Sequence, residues 1–232
     1  MNEPLKVLKT FEREIVYDLQ DAALVTPAMI ASLNWPENIR LLRFFLSGRV
    51  SDEFGATQVL SERHSTLVVY SASKENFCLE RQDSPANMER VKLDSLETLR
   101  PVYLETSDKY HYDSGKPLTA KGLEERSMVI STLLPGSKNV CINKAGITAA
   151  LLVIIKWKDC FGTPVDWVPW VWIEKSLSSE ERGWIHSEFS AWLRETCSDR
   201  VQCIVEADNM RSRKFFIKMG FHPECFVILK GK

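Results

Sequence analysis

Apolar positions along the chain follow two rhythms, and the change comes near residue 47. Ile15, Leu19, Ala22 and Ala23 lie on one helical stripe, Thr26-Pro27 interrupts it, and Met29, Ile30 and Leu33 resume it, so residues 12–33 are predicted helical. A second helix is predicted over Glu37 to Leu46. Trp35-Pro36 separates the two, because the residue before a proline is pushed out of the helical region. After Ser47-Gly48 the texture turns to short β-like runs, at Ala56 to Leu60, Ser65 to Ser71 and Phe77 to Glu80.

The polar, turn-rich stretch Arg81-Gln82-Asp83-Ser84-Pro85-Ala86-Asn87 marks a boundary. It predicts an α+β extension over residues 1–86 and a second domain over residues 87–232. In the second domain a strand at Met88 to Leu93 leads to a helix that begins at Ser95 and carries Leu96, Leu99, Val102, Tyr103 and Leu104 on or near one face. Tyr110 to Gly115 reads as a loop, and another helix runs from Thr119 to Leu133. Val140 to Asn143 and Ala149 to Lys158 form a hairpin turned at Lys144-Ala145-Gly146.

The next strand, Val165 to Ile173, contains Pro169. Proline lacks an amide hydrogen, so this strand must be an edge, bulged, or splayed from a neighbour. Tryptophans 157, 167, 170 and 172 follow the strand period and are predicted to pack both faces of the sheet. Ser178, with Glu181 three residues on, spells a capping box for a helix whose stripe is Trp184, Ile185, Phe189, Trp192 and Leu193. Val201 to Val205 is a strand, Asp208-Asn209 caps a short basic helix, Gly220 stops it, and Phe221 supplies the apolar contact that accompanies such a stop. A closing strand lies around Cys225 to Leu229.

Composition narrows the picture. With 232 residues, 44% of them hydrophobic, the chain has ample material for a core. Lys+Arg 30 against Asp+Glu 31 leaves a charge of -1, so no global field marks nucleic acid or a membrane surface as a partner, and any anion site must be local. Met1 to Thr10 lacks the apolar core of a secretory signal, and the run Ala149 to Ile155 is far short of the ~20 residues that span a bilayer. The expectation is a soluble cytoplasmic protein. The cysteines at 78, 141, 160, 197, 203 and 225 show no Cys-x-x-Cys pair and no histidine at zinc-ligand spacing, and read as reduced, mostly buried thiols.

The spacing of Asn209, Ser212, Phe215, Phe216 and Gly220-Phe221 resembles the Asn-x-x-Ala/Ser-x-x-aromatic-aromatic-x-x-x-Gly-Phe signature of the GNAT N-acetyltransferase superfamily. The resemblance implies an α/β (α+β) fold built on a mixed, mostly antiparallel sheet flanked by helices. It implies acetyl-CoA as cofactor and an amine, on a small molecule or a protein, as acceptor. A bulged fourth strand would part from the fifth to admit the thioester arm, which Pro169 suits. Backbone amides near Val171 and Ile173 would polarise the thioester carbonyl, and Asn209, Ser212 and Phe216 fall at positions facing the cofactor arm.

For the general base that strips the amine, the candidates are Glu174 and Asp166 at the two ends of the presumed fourth strand and Glu206 at the end of the fifth, with His111 a further one. His64, His186 and His222 rank below it. Arg211, Arg213, Lys214 and Lys218 are either phosphate ligands or a solvated basic face. Residues 1–86 are left to cover the acceptor site or to meet an assembly partner.

Two departures limit the resemblance. The family binds pyrophosphate on a Gln/Arg-x-x-Gly-x-Gly/Ala loop, where glycines let backbone amides close on the phosphates at a helix N-terminus. Aligning Gly183 with the first glycine puts Glu180 at the basic or amide position and Ile185 at the second small one, so the motif is degenerate, with Lys175, Ser176 and Arg182 as the available compensation. Phe216 stands where many members carry a tyrosine general acid. A recognisable final helix without the glycine loop is also similar to the acetyltransferase-like internal virion proteins of tailed bacteriophages, which gives a structural or interaction protein as the alternative.

Overall fold

The computed structural model describes residues 5–10, 12–19, 33, 35–46, 65–77, 82–115 and 117–229. These divide into two compact units, one drawn from Met1–Ala72 and Gln202–Lys232, the other from Ser73–Val201. The division differs from the boundary expected near residue 86, because the C-terminal strands group with the N-terminal segment. No helix among the described residues is long and apolar enough to cross a membrane.

In the first unit the strands run in the order β1 (Leu5–Thr10), β2 (Glu14–Leu19), β3 (Leu41–Leu46), β10 (His222–Leu229), β4 (Ser65–Ser73) and β9 (Arg200–Glu206, from Gln202 onward in this unit). β1 is antiparallel to β2, and β10 is antiparallel to both β3 and β4; β2 and β3 are parallel. Val16, Leu42, Phe44, Val68 and Tyr70 are fully buried, and Tyr17 stacks on Phe44 with ring centroids 5.3 Å apart.

This region overturns two helix expectations. Residues 12–33 were to be helical, yet Glu14–Leu19 is a strand; Ile15, Val16 and Tyr17 are buried in succession, which needs burial on both faces and suits an interior strand of β-branched and aromatic residues. Glu37 to Leu46 was to be a second helix, yet Leu41–Leu46 is a strand in which Leu42 and Phe44 are buried and Arg43 and Phe45 only half so. That is a period of two, masked in the sequence by a run of consecutive apolar residues. Ser65 to Ser71 does form a strand. Residues 20–32, the run Ala56 to Leu60 and residues 78–80 lie outside the described residues.

In the second unit β5 (Met88–Val91), β6 (Lys138–Lys144), β7 (Ile147–Lys158) and β8 (Pro164–Ile173) make an antiparallel sheet in the order β8-β7-β6-β5. The β6–β7 hairpin turns at Ala145 and Gly146, both at positive φ (51° and 78°), the geometry that matches the twist of paired strands. Helix α1 (Leu96–Ser114) starts from Ser95, whose hydroxyl accepts the Thr98 amide. It runs to Gly115, so Tyr110 to Ser114 form its last turns and not the expected loop. Helix α2 (Ala120–Met128) continues into a wider turn at Val129–Leu133. Helix α3 (Ser179–Thr196) has Ser178 and Glu181 in a complete capping box and buries Trp184, Ile185, Phe189, Trp192 and Leu193, as its stripe predicts.

The β7–β8 register slips between Val153 and Ile155. Trp170 faces Val153 and Trp167 faces Ile155, so Val168 and Pro169 together oppose the single residue Ile154. Pro169 therefore sits in a bulge, one of the three placements open to it, where its missing amide breaks no ladder bond. The bulge also reverses the side-chain alternation. Trp157, Trp167, Trp170 and Trp172 all lie on the face shared with Leu151 and Val153, correcting the expectation that they divide between two faces. On that face Leu99 and Tyr103 of α1 pack with Cys141, Leu151, Val153 and Trp170. From the other face Asp166 reaches Ser198, just past the end of α3.

Candidate functional site

The chemistry expected of β8 is decided by its two ends. The Glu174 amide donates to the Ala149 carbonyl at 2.9 Å, so Glu174 belongs to a hydrogen-bonded pair with β7. Amide direction alternates along a strand, and the N–H groups of Ile173 and Val171 therefore point away from β7. The carboxylate of Glu174 follows directly, half-buried, with Oε1 accepting the amides of Lys175 at 2.7 Å and Ser176 at 3.3 Å. Val171, Ile173 and Glu174 thus share one end of the strand.

Asp166 is at the opposite end, eight residues and roughly 26 Å away at strand rise. It is 2% exposed. One oxygen accepts both the amide and the hydroxyl of Ser198 at 2.6 Å, and the other meets Lys156 at 2.7 Å. Burial acts to raise its pKa, but the hydrogen bonds from Lys156 and Ser198 prevail and hold it below the usual carboxylate value. A carboxylate so committed is a poor proton acceptor. It fastens the chain that leaves α3.

The turn from β8 into α3 is closed on its own side chains. Ser178 Oγ accepts the Glu181 amide at 3.2 Å, and Glu181 Oε2 accepts the Ser178 amide at 2.8 Å. Glu181 Oε1 also pairs with Lys144 at 2.6 Å, and these contacts, the Lys144 bond first, lower its pKa. Lys175 Nζ donates to the Asp113 carbonyl at 2.8 Å and lies 3.4 Å from its carboxylate; Arg182 donates to the Lys175 carbonyl. Lys175 is thus engaged within the protein, and Arg182 in part, since its buried Nε has no partner. Gly183 is the fifth residue of α3, past the turn whose amides lack helical partners. The residues present do not fit a pyrophosphate at this helix start.

In the first unit, α4 (Met210–Lys218) begins at Asn209, whose Oδ1 accepts the Ser212 amide at 3.1 Å, and ends at Gly220 with φ 91°. Glu206 is exposed at the end of β9, and its carbonyl accepts the Asn209 amide at 3.0 Å. Phe216 is 4% exposed, with its ring edge-to-face against Phe215 and Phe221. It is a core residue with no proton to give. Arg211, Lys214 and Lys218 are exposed.

Arg213 departs from the sequence reading, which left it to phosphate or solvent. It is 2% exposed, donating Nε to the Tyr70 hydroxyl at 3.0 Å and Nη1 to the Ala207 carbonyl at 2.9 Å. The signal lay in its spacing: Arg213 is three residues before Phe216, on the apolar face of α4. Trp170 has more partners than its strand period implies: its Nε1 donates to Thr106 at 3.1 Å, and Tyr103 and Tyr110 set their rings at angles of 68° and 78° to it. His111 lies against Tyr110 on the last turns of α1, and His222 Nε2 is 3.4 Å from the Ser71 hydroxyl. His186 is half-buried in α3, and His64 lies outside the described residues.

Among the described cysteines four are buried and Cys160 is half-buried. Burial raises the thiol pKa of Cys141 to about 11 and of Cys197 to about 12, keeping both protonated and unreactive at neutral pH.

No family model matches the chain. No curated protein matches it. The solved structures similar to it are mostly GCN5-related N-acetyltransferases. A functionally unknown conserved protein from Staphylococcus epidermidis shares 12% identity over 98% of this chain and 94% of that one, with a TM-score of 0.55. A GCN5-related N-acetyltransferase from Sphaerobacter thermophilus shares 11% over 98% and 75%, with a TM-score of 0.49. Another from Kribbella flavida shares 14% over 94% and 80%, with a TM-score of 0.48. Likeness at such identity concerns the fold and not the chemistry.

Proposed function

We propose that this protein is a GNAT-type N-acyltransferase that moves an acyl group from a thioester such as acetyl-CoA to the amine of a small molecule or protein. The reading rests on one observation above the others. At the end of β8 the Val171 amide points away from β7, and Glu174 lies three residues on. An amide so directed is suited to accept the charge that develops on a thioester carbonyl oxygen, and a nearby carboxylate is suited to take the amine proton. With a thioester bound, the amine nitrogen would bond to the carbonyl carbon as the carbon–sulfur bond breaks, Glu174 would take the proton from nitrogen, and water would protonate the departing thiolate. Asp166 has no part in it. The Asn209 to Phe221 signature supports the same reading.

The test is a thermal shift. A ligand that binds only the folded protein stabilises it by about 2.7 kcal/mol at a hundred times its Kd, so acetyl-CoA at millimolar concentration is expected to raise the melting temperature. An unchanged melting temperature would sink the enzyme reading and leave a structural or interaction protein on the same fold.

A further inference from the structure

The resemblance implies that acyl-CoA is anchored by its pyrophosphate at the start of α3, and the geometry there disagrees. Six of the nine backbone amides from Glu174 to Arg182 are already used, which leaves those of Leu177, Ser179 and Glu180. The Glu174 amide goes to the Ala149 carbonyl, those of Lys175 and Ser176 to Glu174 Oε1, that of Ser178 to Glu181, that of Glu181 to Ser178 Oγ, and that of Arg182 to the Ser178 carbonyl. The positive end of the helix is met by Glu181, itself held by Lys144, with Glu180 exposed beside it. A pyrophosphate arriving here would face two carboxylates and would have to displace a cap that closes in both directions.

We propose that Glu181 closes the start of α3 to the donor's pyrophosphate, and that the protein holds an acyl thioester by its pantetheine arm alone. This rests on the acyltransferase reading for its second half only. The nucleotide half of acetyl-CoA then contributes nothing to affinity, and a short acyl-pantetheine is an equivalent donor.

The experiment pairs isothermal titration of acetyl-CoA and S-acetylpantetheine with amide NMR of Ser178 to Arg182 during titration with inorganic pyrophosphate. The two thioesters are expected to bind within about three-fold of each other, with those amides unmoved at about 10 mM pyrophosphate. Saturable movement of the Ser178 to Arg182 amides would overturn the closure. Acetyl-CoA binding more than about ten-fold tighter than S-acetylpantetheine would overturn reliance on the arm alone. If neither thioester binds and the amides stay still, the closure stands and the acyltransferase reading falls.

Discussion

Helices α3 and α4 are fastened by opposite chemistry. α3 is held at both ends by carboxylates: Glu181 closes the capping box at its start, and Asp166 grips Ser198 just past its end. α4 is held by a neutral amide, Asn209, and by a buried cation, Arg213, whose guanidinium reaches Tyr70 and the Ala207 carbonyl. Both arrangements satisfy backbone groups at helix ends. Only the first places carboxylates at a helix start, one of them paired with Lys144, and only the first depends on carboxylates staying ionised. A glycine and a run of basic residues near a helix therefore do not make an anion site; what matters is which groups already occupy the amides.

The comparison is broken most forcefully at Arg213. Arg213→Met keeps much of the bulk but removes the buried bonds to the Tyr70 hydroxyl and the Ala207 carbonyl. It is expected to cost about 3 kcal/mol in urea unfolding at neutral pH. A loss below about 0.5 kcal/mol would mean that the buried guanidinium does not fasten α4.

Asp166→Asn is the counterpart for α3 and is expected to cost about 2 kcal/mol at neutral pH, mostly through the bonds from Ser198, because Lys156 is largely solvated. Its pH dependence carries the contrast. The folded-state pKa of Asp166 lies below its unfolded value, so its contribution is present above the ordinary carboxylate range and is lost as pH falls through the folded value. The stability gap between wild type and Asp166→Asn should close below about pH 4, whereas the gap for Arg213→Met should persist. Parallel behaviour of the two variants would remove the distinction.

The smallest expected effects are at the caps. Ser178→Ala and Asn209→Ala should each cost about 1 kcal/mol by denaturant unfolding. Acid should leave both losses in place, because the bond each variant removes, a backbone amide donating to Ser178 Oγ or to Asn209 Oδ1, involves no ionisable group.

Much of this is legible in the sequence. Ser95, Ser178 and Asn209 as caps, Gly220 as a stop, the turn at Ala145-Gly146 and the buried stripe of α3 all follow from interactions within a few residues, and local chemistry is written locally. The end of β8 was legible in part, since Val171, Ile173 and Glu174 stood among the candidates, but Asp166 was grouped with them on strand position alone. Its commitment to Ser198 depends on a partner 32 residues away. The burial of Arg213 has the same origin: Tyr70 is 143 residues from it in sequence.

The sequence alone was enough for the second half of the chain as an order of strands and helices, because capping, turn formation and amphipathic period act over one or two turns. The folded chain was needed for three things. Residues 14–19 and 41–46 are strands because β2 lies along β3 and β3 along β10, and pairing with a strand some 180 residues distant overrides a local helical rhythm. Four tryptophans share one face because Pro169 sits in a bulge, and a single extra residue inverts every side chain beyond it. The start of α3 is closed because Lys144, on another strand, holds Glu181 in place, a contact made only when β6 and α3 are brought together.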